Sequence, residues 1–202
     1  MIHHFRFQIA ALISIVLVIL AIAESAYLII TANYQLLLIH STFLGLLIFL
    51  IVYATAQDAP YVPTPEPTIK KMLELAEVKP GETVYDLGSG DGRILIVAAR
   101  DFGARAVGIE ISHSNFSTSL ERIKTEKLQD RIGVEEGNLF KADISGADVV
   151  TLYLRQNTND KLSLKLKKEL KPGSRVVSRT FTIKGWMPSR IDKENQIYLY
   201  KI

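Results

Sequence analysis

The chain has 202 residues, room for one domain plus an extension, with 24 Lys+Arg against 21 Asp+Glu and a net charge of +3. It contains no cysteine, which excludes a disulfide framework, a cysteine-ligated metal centre and a cysteine nucleophile. Arg6 and Glu24 are the only formally charged residues before residue 57 and cancel, so the remaining 23 basic and 20 acidic residues carry the whole excess. That excess is too mild for a nucleic-acid-binding surface, and no nucleic-acid partner is expected. No metal-ligand pattern stands out either.

Residues 1–56 form a separate segment. Residues 9–30 are apolar except for Ser14, Glu24 and Ser25, and residues 36–54 are a second such run with His40 as its most polar member. Each is long enough to cross a hydrocarbon core of about 30 Å as a helix. The five-residue link 31–35 predicts a transmembrane hairpin. A signal peptide competes for the first run through Ala21-Ile-Ala23, but the second run and the length of the first count against it. Arg6 precedes the spans, Lys70 and Lys71 follow them, and the connecting loop is uncharged. This bias places both ends of a multi-pass (two-span) protein on the cytoplasmic side. Ionisable residues within spans are functional candidates by default, which singles out Glu24 and His40.

Residues 57–67 are a linker holding four of the seven prolines. Proline fixes φ and removes donors, so the segment is stiff and extended. Thr64 is placed to cap a helix starting at Pro65. Ile69, Met72, Leu73 and Ala76 at i, i+3, i+4, i+7 give that helix one apolar face for packing on a sheet. The main domain is expected over 68–202, entered through the turn Lys79-Pro-Gly81.

Val84, Tyr85 and Leu87 then read as a buried parallel strand. Gly88, Gly90 and Gly92 follow at every second position, and Ile94 begins an apolar helix. Glycine permits positive φ and close approach of a ligand to the backbone, although plain tight turns use it too. The next strand ends at Glu110, about twenty residues on, the spacing at which a carboxylate grips ribose hydroxyls. Dehydrogenases use G-x-G-x-x-G. Here the pattern is Asp86-x-Gly88-x-Gly90-x-Gly92, with an acid two residues before the first glycine. A carboxylate there repels a pyrophosphate and suits a cationic ligand.

Asp86-Leu-Gly88-Ser89-Gly90-Asp91-Gly92 resembles motif I of the class I S-adenosylmethionine (SAM)-dependent methyltransferases, and Glu110 matches their ribose-binding acid. With Pro60-Tyr61-Val-Pro-Thr64 upstream, and Val150-Thr-Leu-Tyr153-Leu and Pro172-Gly-Ser-Arg-Val-Val-Ser178 downstream, the chain is similar to a narrower group. That group comprises the ATP synthase c-subunit lysine methyltransferases and small archaeal protein-lysine methyltransferases. The resemblance spans roughly residues 60–190; the two spans depart from the single membrane segment of the former. It implies an α/β fold, a Rossmann-like seven-strand methyltransferase sheet with helices on both faces. It also implies SAM as cofactor and a lysine side chain of a protein as acceptor, with a membrane protein and the lipid bilayer as natural partners.

Under this resemblance the cofactor-binding set is Tyr61, Thr64, Asp86, Gly88, Ser89, Gly90, Asp91, Gly92, Glu110 and Asn138. Tyr61 and Thr64 belong either to a lid over the cofactor or to a plain spacer. Ser112 or Ser114 caps a helix running to about residue 127, and residues 131–136 form a strand. Asn138 after it either meets the adenine amino group or caps a turn. Residues 148–153 form the fourth strand, ending at the switch point where ligands bind. Tyr153 there is the catalytic candidate, orienting the acceptor amine, or is strand-end packing. Leu-Tyr153-Leu-Arg155 stands where DNA and glutamine N-methyltransferases have Asn or Asp followed by Pro-Pro-Tyr, which disfavours those substrates. A helix over 159–170 buries Leu162, Leu166 and Leu170 and turns its lysines to solvent. Strands over 175–182 and 196–202 follow, the last in a terminal hairpin, with Trp186 either in the core or in the substrate groove. A lipid or quinone-type acceptor, and a SAM-binding scaffold without catalysis, are the competing functions.

Overall fold

The computed structural model describes the backbone of residues 2–30, 34–56 and 62–202, and the side chains of 14–27, 30, 34–51 and 62–202. The chain divides into two units, Met1–Asp58 and Ala59–Ile202.

The first unit is a pair of helices, α1 (Ile2–Ile30) and α2 (Tyr34–Ala56), packed along one another. His40 Nε2 lies 2.6 Å from Glu24 Oε2, tying the two helices together. Leu20, Phe43 and Phe49 remain 57%, 61% and 62% exposed. Among the described residues one helical window, Tyr34–Ile51, is long and apolar enough to cross a membrane. The apolar stretch described in α1, Ser14–Tyr27, is shorter. The expected first span also includes side chains outside the described residues.

The second unit is a seven-stranded sheet in the order β3-β2-β1-β4-β5-β7-β6. Its strands are β1 (Thr83–Leu87), β2 (Arg105–Glu110), β3 (Ile132–Glu136), β4 (Val149–Leu152), β5 (Arg175–Arg179), β6 (Arg190–Asp192) and β7 (Ile197–Lys201). The first five pair in parallel; β7 runs antiparallel to both β5 and β6. The terminal hairpin needs no crossover helix, because antiparallel strands can be joined by a short turn. Asp192 makes that turn, its Oδ1 accepting from the Asn195 amide at 3.0 Å.

Helices cover both faces. On one lie α3 (Glu66–Leu75), α4 (Arg93–Phe102) and α5 (His113–Thr125), contributing Met72, Leu73, Leu95 and Ile123 to a core under Val84 and Val149. The expected face Ile69, Met72, Leu73, Ala76 is fully buried there. On the other face α6 (Gln156–Glu169) supplies Leu162 and Leu166 beneath Leu152 and Val176.

Four local expectations are corrected. Thr64 does not cap α3; Pro65 holds that position without a side-chain bond, and the Thr64 residue is buried instead. Strand β5 ends at Arg179, not 182, because Thr180 adopts φ +67°. Helix α6 starts three residues earlier than 159, and Asn159 is a buried tether whose Nδ2 donates to Ser178 Oγ at 3.1 Å. Lys165 is not solvated: its side chain is 11% exposed and held by Glu169 at 2.7 Å. Of the two serines, Ser112 is the cap of α5. Trp186 packs edge-on against Tyr200 at 5.7 Å with Lys167 over its ring, so its body belongs to the core side.

Candidate active site

The site is assembled at the C-terminal edge of the parallel strands, where α/β sheets open a crevice for ligands. Gly88, Gly90 and Gly92 all take left-handed backbone, φ +86°, +55° and +77°. A Cβ on Gly88 would meet Leu154 Cδ2 at 2.9 Å, and one on Gly92 would strike Ser119 Oγ. Glycine is therefore required at both by conformation and by space.

The amides of this loop are used internally. Gly88 and Ser89 donate to the Ile109 carbonyl at 2.8 and 3.1 Å, and Gly92 donates to the Ser89 carbonyl at 3.0 Å. Gly90 donates to Glu110 Oε2 at 2.7 Å. A dinucleotide fold offers such amides to a pyrophosphate. Here they fix the loop, and the buried carboxylates of Asp86 and Glu110 stand beside it.

Asp86 is the penultimate residue of β1 and is 2% exposed. Its register partner on β4 is Thr151, whose hydroxyl donates to Asp86 Oδ1 at 2.7 Å. Burial pushes the Asp86 carboxyl up to about 7, and the charges of Glu110 and Asp91 add to the rise, while the Thr151 bond opposes it. No basic side chain pairs with Asp86 among the described residues. Glu110 is also buried and accepts from Ser112 N at 2.8 Å through its other oxygen. Each carboxylate oxygen retains a further lone pair for a ligand hydroxyl.

Asp91 has a different environment. Arg93 donates to it from Nε at 2.9 Å and from Nη2 at 2.8 Å, and Arg122 Nη1 reaches the same carboxylate. Arg93 Nη1 also donates to the Thr64 carbonyl at 3.1 Å, fastening the linker to the glycine loop. Ser89 packs its side chain over Gly108, where a Cβ would meet its Oγ at 2.6 Å, and that buried hydroxyl has no partner. Asn138 is exposed, and its Oδ1 accepts from the Phe140 amide at 2.9 Å, closing a turn just beyond β3. Tyr61 lies outside the described residues.

Tyr153 directly follows β4, two residues after Thr151, and the Arg179 guanidinium lies 4.5 Å from its ring. The structure thus gathers Asp86, the three glycines and Glu110 at the C-terminal ends of β1 and β2, with Tyr153 at the end of the neighbouring strand. Thr151, Arg93, Arg122 and Arg179 escaped the sequence reading. The register Asp86↔Thr151 is the signal that would have found the first, and it requires the strand order.

SAM fits this donor set. Asp86 and Glu110 are buried acids beside left-handed glycines, suited to a cationic amine and ribose hydroxyls, and the amides are not free for a phosphate. When bound, SAM supplies an electrophilic methyl group.

Residues 86–190 match the family described as the ANTKMT methyltransferase domain. A protein-lysine N-methyltransferase of Saccharolobus islandicus is 47% identical over 150 residues, covering 71% of this chain and 93% of that protein. An ATP synthase c-subunit lysine N-methyltransferase of Xenopus laevis is 32% identical over 132 residues, 65% of this chain and 58% of that protein. The crystal structure of an RNA methyltransferase from Salinibacter ruber with S-adenosyl-L-homocysteine has a TM-score of 0.68 at 47% identity. It covers 70% of this chain and 94% of that one. The chain belongs to the class I SAM-dependent methyltransferases, within the ANTKMT methyltransferase domain family.

Proposed function

We propose that this protein is a membrane-anchored, SAM-dependent protein-lysine N-methyltransferase working at the cytoplasmic face. The observation that carries the acceptor class is 47% identity to an archaeal protein-lysine N-methyltransferase over 93% of its length. The exposed apolar faces of α1 and α2 support the anchor, and the absence of charge in the loop between them supports the orientation. Residues 1–56 would hold the enzyme at the bilayer, 57–67 would close over the loop as a lid, and 68–202 would carry catalysis. The Arg93–Thr64 bond supports the lid.

The chemistry asks little beyond placement. Methyl transfer from a sulfonium is an in-line displacement, so holding the reactants in line supplies most of the acceleration. Asp86 and Glu110 hold the donor, with Asn138 at its adenine end. A lysine has an ordinary pKa of about 10.4 and must lose its proton first; a partly dry channel near positive charge favours the neutral amine. Tyr153 orients that amine through its hydroxyl.

A second reading has one observation in its favour: the similar Salinibacter ruber protein is described as an RNA methyltransferase. The two separate in one experiment. The full-length protein, in detergent or native membranes, is incubated with methyl-tritiated SAM and a total extract of the source cell. Label in a protein band, lost with Asp86→Ala and mapped to lysine by mass spectrometry, supports the proposal. Label in RNA supports the second reading; label in the organic extract points to a lipid or quinone acceptor. SAM binding with no transfer at all would leave a scaffold.

A further inference from the structure

Arg179 is the last residue of β5, and Tyr153 follows the last residue of β4. These strands are parallel neighbours, with Leu152 opposite Ser178, so the two side chains leave the sheet side by side. The guanidinium stacks on the Tyr153 ring at 4.5 Å, a geometry typical of a cation–π contact. Its Nη1 is buried and has no hydrogen-bond partner. No carboxylate pairs with Arg179 among the described residues.

The backbone around it is held under strain. Thr180 is a β-branched residue at φ +67°, an unusual conformation kept only when the surroundings enforce it. The enforcing contacts are clear: Thr180 N donates to the Gln196 carbonyl at 2.7 Å. Ser178 Oγ donates to the Phe181 carbonyl at 2.6 Å, and Asn159 Nδ2 reaches both. The turn fixes Arg179 where it stands. Arg155, two residues after Tyr153, is exposed and has no carboxylate partner among the described residues. Arg179 Nη1 itself is closed off, but the half-buried guanidinium as a whole has no anionic partner among the described residues, a state that favours an incoming carboxylate at its accessible edge.

We infer that Arg179 is a docking point for a carboxylate of the acceptor protein, so that the enzyme selects lysines flanked by acidic residues. This rests on the protein-lysine reading above. Arg179 anchors the neighbouring Asp or Glu through a charge-assisted bond while Tyr153 meets the amine. The same positive charge disfavours protonation of the incoming lysine.

The test uses the full-length protein in detergent with methyl-tritiated SAM. Its probes are 15-residue peptides carrying one central lysine, with Glu or Gln placed at each flanking position in turn. The wild type should show at least a tenfold lower KM for the best Glu peptide than for its Gln twin. Arg179→Gln should raise KM for the Glu peptide to that of the twin, with SAM affinity by calorimetry unchanged. Arg179→Met keeps the stem on the Tyr153 ring and should do the same, which guards against misfolding of the first variant. Equal KM values for the twins in the wild type would overturn the inference without any variant. So would a Glu preference that survives in a folded Arg179 variant, or a loss confined to SAM affinity, which would assign the anion to the cofactor. If the wild type labels no lysine peptide yet labels RNA or lipid from the extract, the lysine reading itself fails and takes this inference with it.

Discussion

Asp86 makes a quantitative prediction because its environment is lopsided. The carboxyl is 2% exposed, flanked by two acids and relieved by the Thr151 hydroxyl. Its value rises from 3.8 to about 7 on folding. Between those two values the native protein keeps a proton that the unfolded chain has released. Stability from this group is therefore full below the unfolded value and is lost as pH rises through about 7. At 1.36 kcal/mol per unit, the loss has a ceiling of about 4 kcal/mol. Asp86→Asn keeps an oxygen to accept from Thr151 and cannot ionise, so its stability lacks this slope. The assay is urea unfolding of the ligand-free domain from residue 57 onward, at about pH 5 and about pH 8.5, for both proteins. The unit Ala59–Ile202 has its own sheet and core, which justifies studying it alone. The wild type should lose about 2–3 kcal/mol more than the variant over that interval, since only the span from pH 5 to about 7 contributes. Parallel slopes would refute the placement of an unpaired buried carboxyl at this position. A linked expectation is that SAM binds the wild type more tightly as pH rises to about 7, since its cation favours the ionised form.

Three other outcomes are expected. Gly92→Ala forces a side chain onto Ser119 at positive φ and should cost about 2 kcal/mol, read as a fall in melting temperature with far-ultraviolet circular dichroism retained. Tyr153→Phe should lower kcat at least tenfold while SAM affinity by calorimetry stays constant; full activity would remove its orienting role. The lack of native cysteine allows single cysteines to map topology: residues near position 3 and in the main domain should react with an impermeant maleimide from the cytoplasmic side, and residue 33 from the opposite side. Labelling of all three from one side would contradict the two-span hairpin.

The glycine loop and the two acids beside it were legible because they are local in sequence. Asp86 through Gly92 and Glu110 lie in one strand–turn–helix–strand passage, and the glycines are dictated by backbone angle. The helix face Ile69, Met72, Leu73, Ala76 was legible for the same reason, since a period of 3.6 needs only a short window. What failed depended on distant partners. Thr64 looked like a cap, but the carbonyl of that residue is taken by Arg93, 29 positions away. Lys165 looked solvated, but Ala142 and Glu169 converge on it. The end of β5 was overrun because the chain turns at Thr180 to meet Gln196, a partner 16 positions away.

The proposed acceptor side also depends on distant partners, although Tyr153 itself was named from the sequence. Tyr153 and Arg179 are separated by 26 positions and become neighbours only because β4 lies beside β5. A motif search sees a tyrosine at one strand end and an arginine at another; the sheet turns them into one surface, aromatic on one side and cationic on the other. The asymmetry has a physical origin. Methyltransferases with different acceptors share one donor, so its grip can be written into one contiguous passage. The acceptor differs from enzyme to enzyme, and contacts between strand ends can change without disturbing the core beneath them. Substitutions at Asp86, Gly88 or Glu110 should therefore abolish activity toward any acceptor alike. Substitutions at Arg179 should instead redistribute activity among acceptors while donor affinity stays fixed.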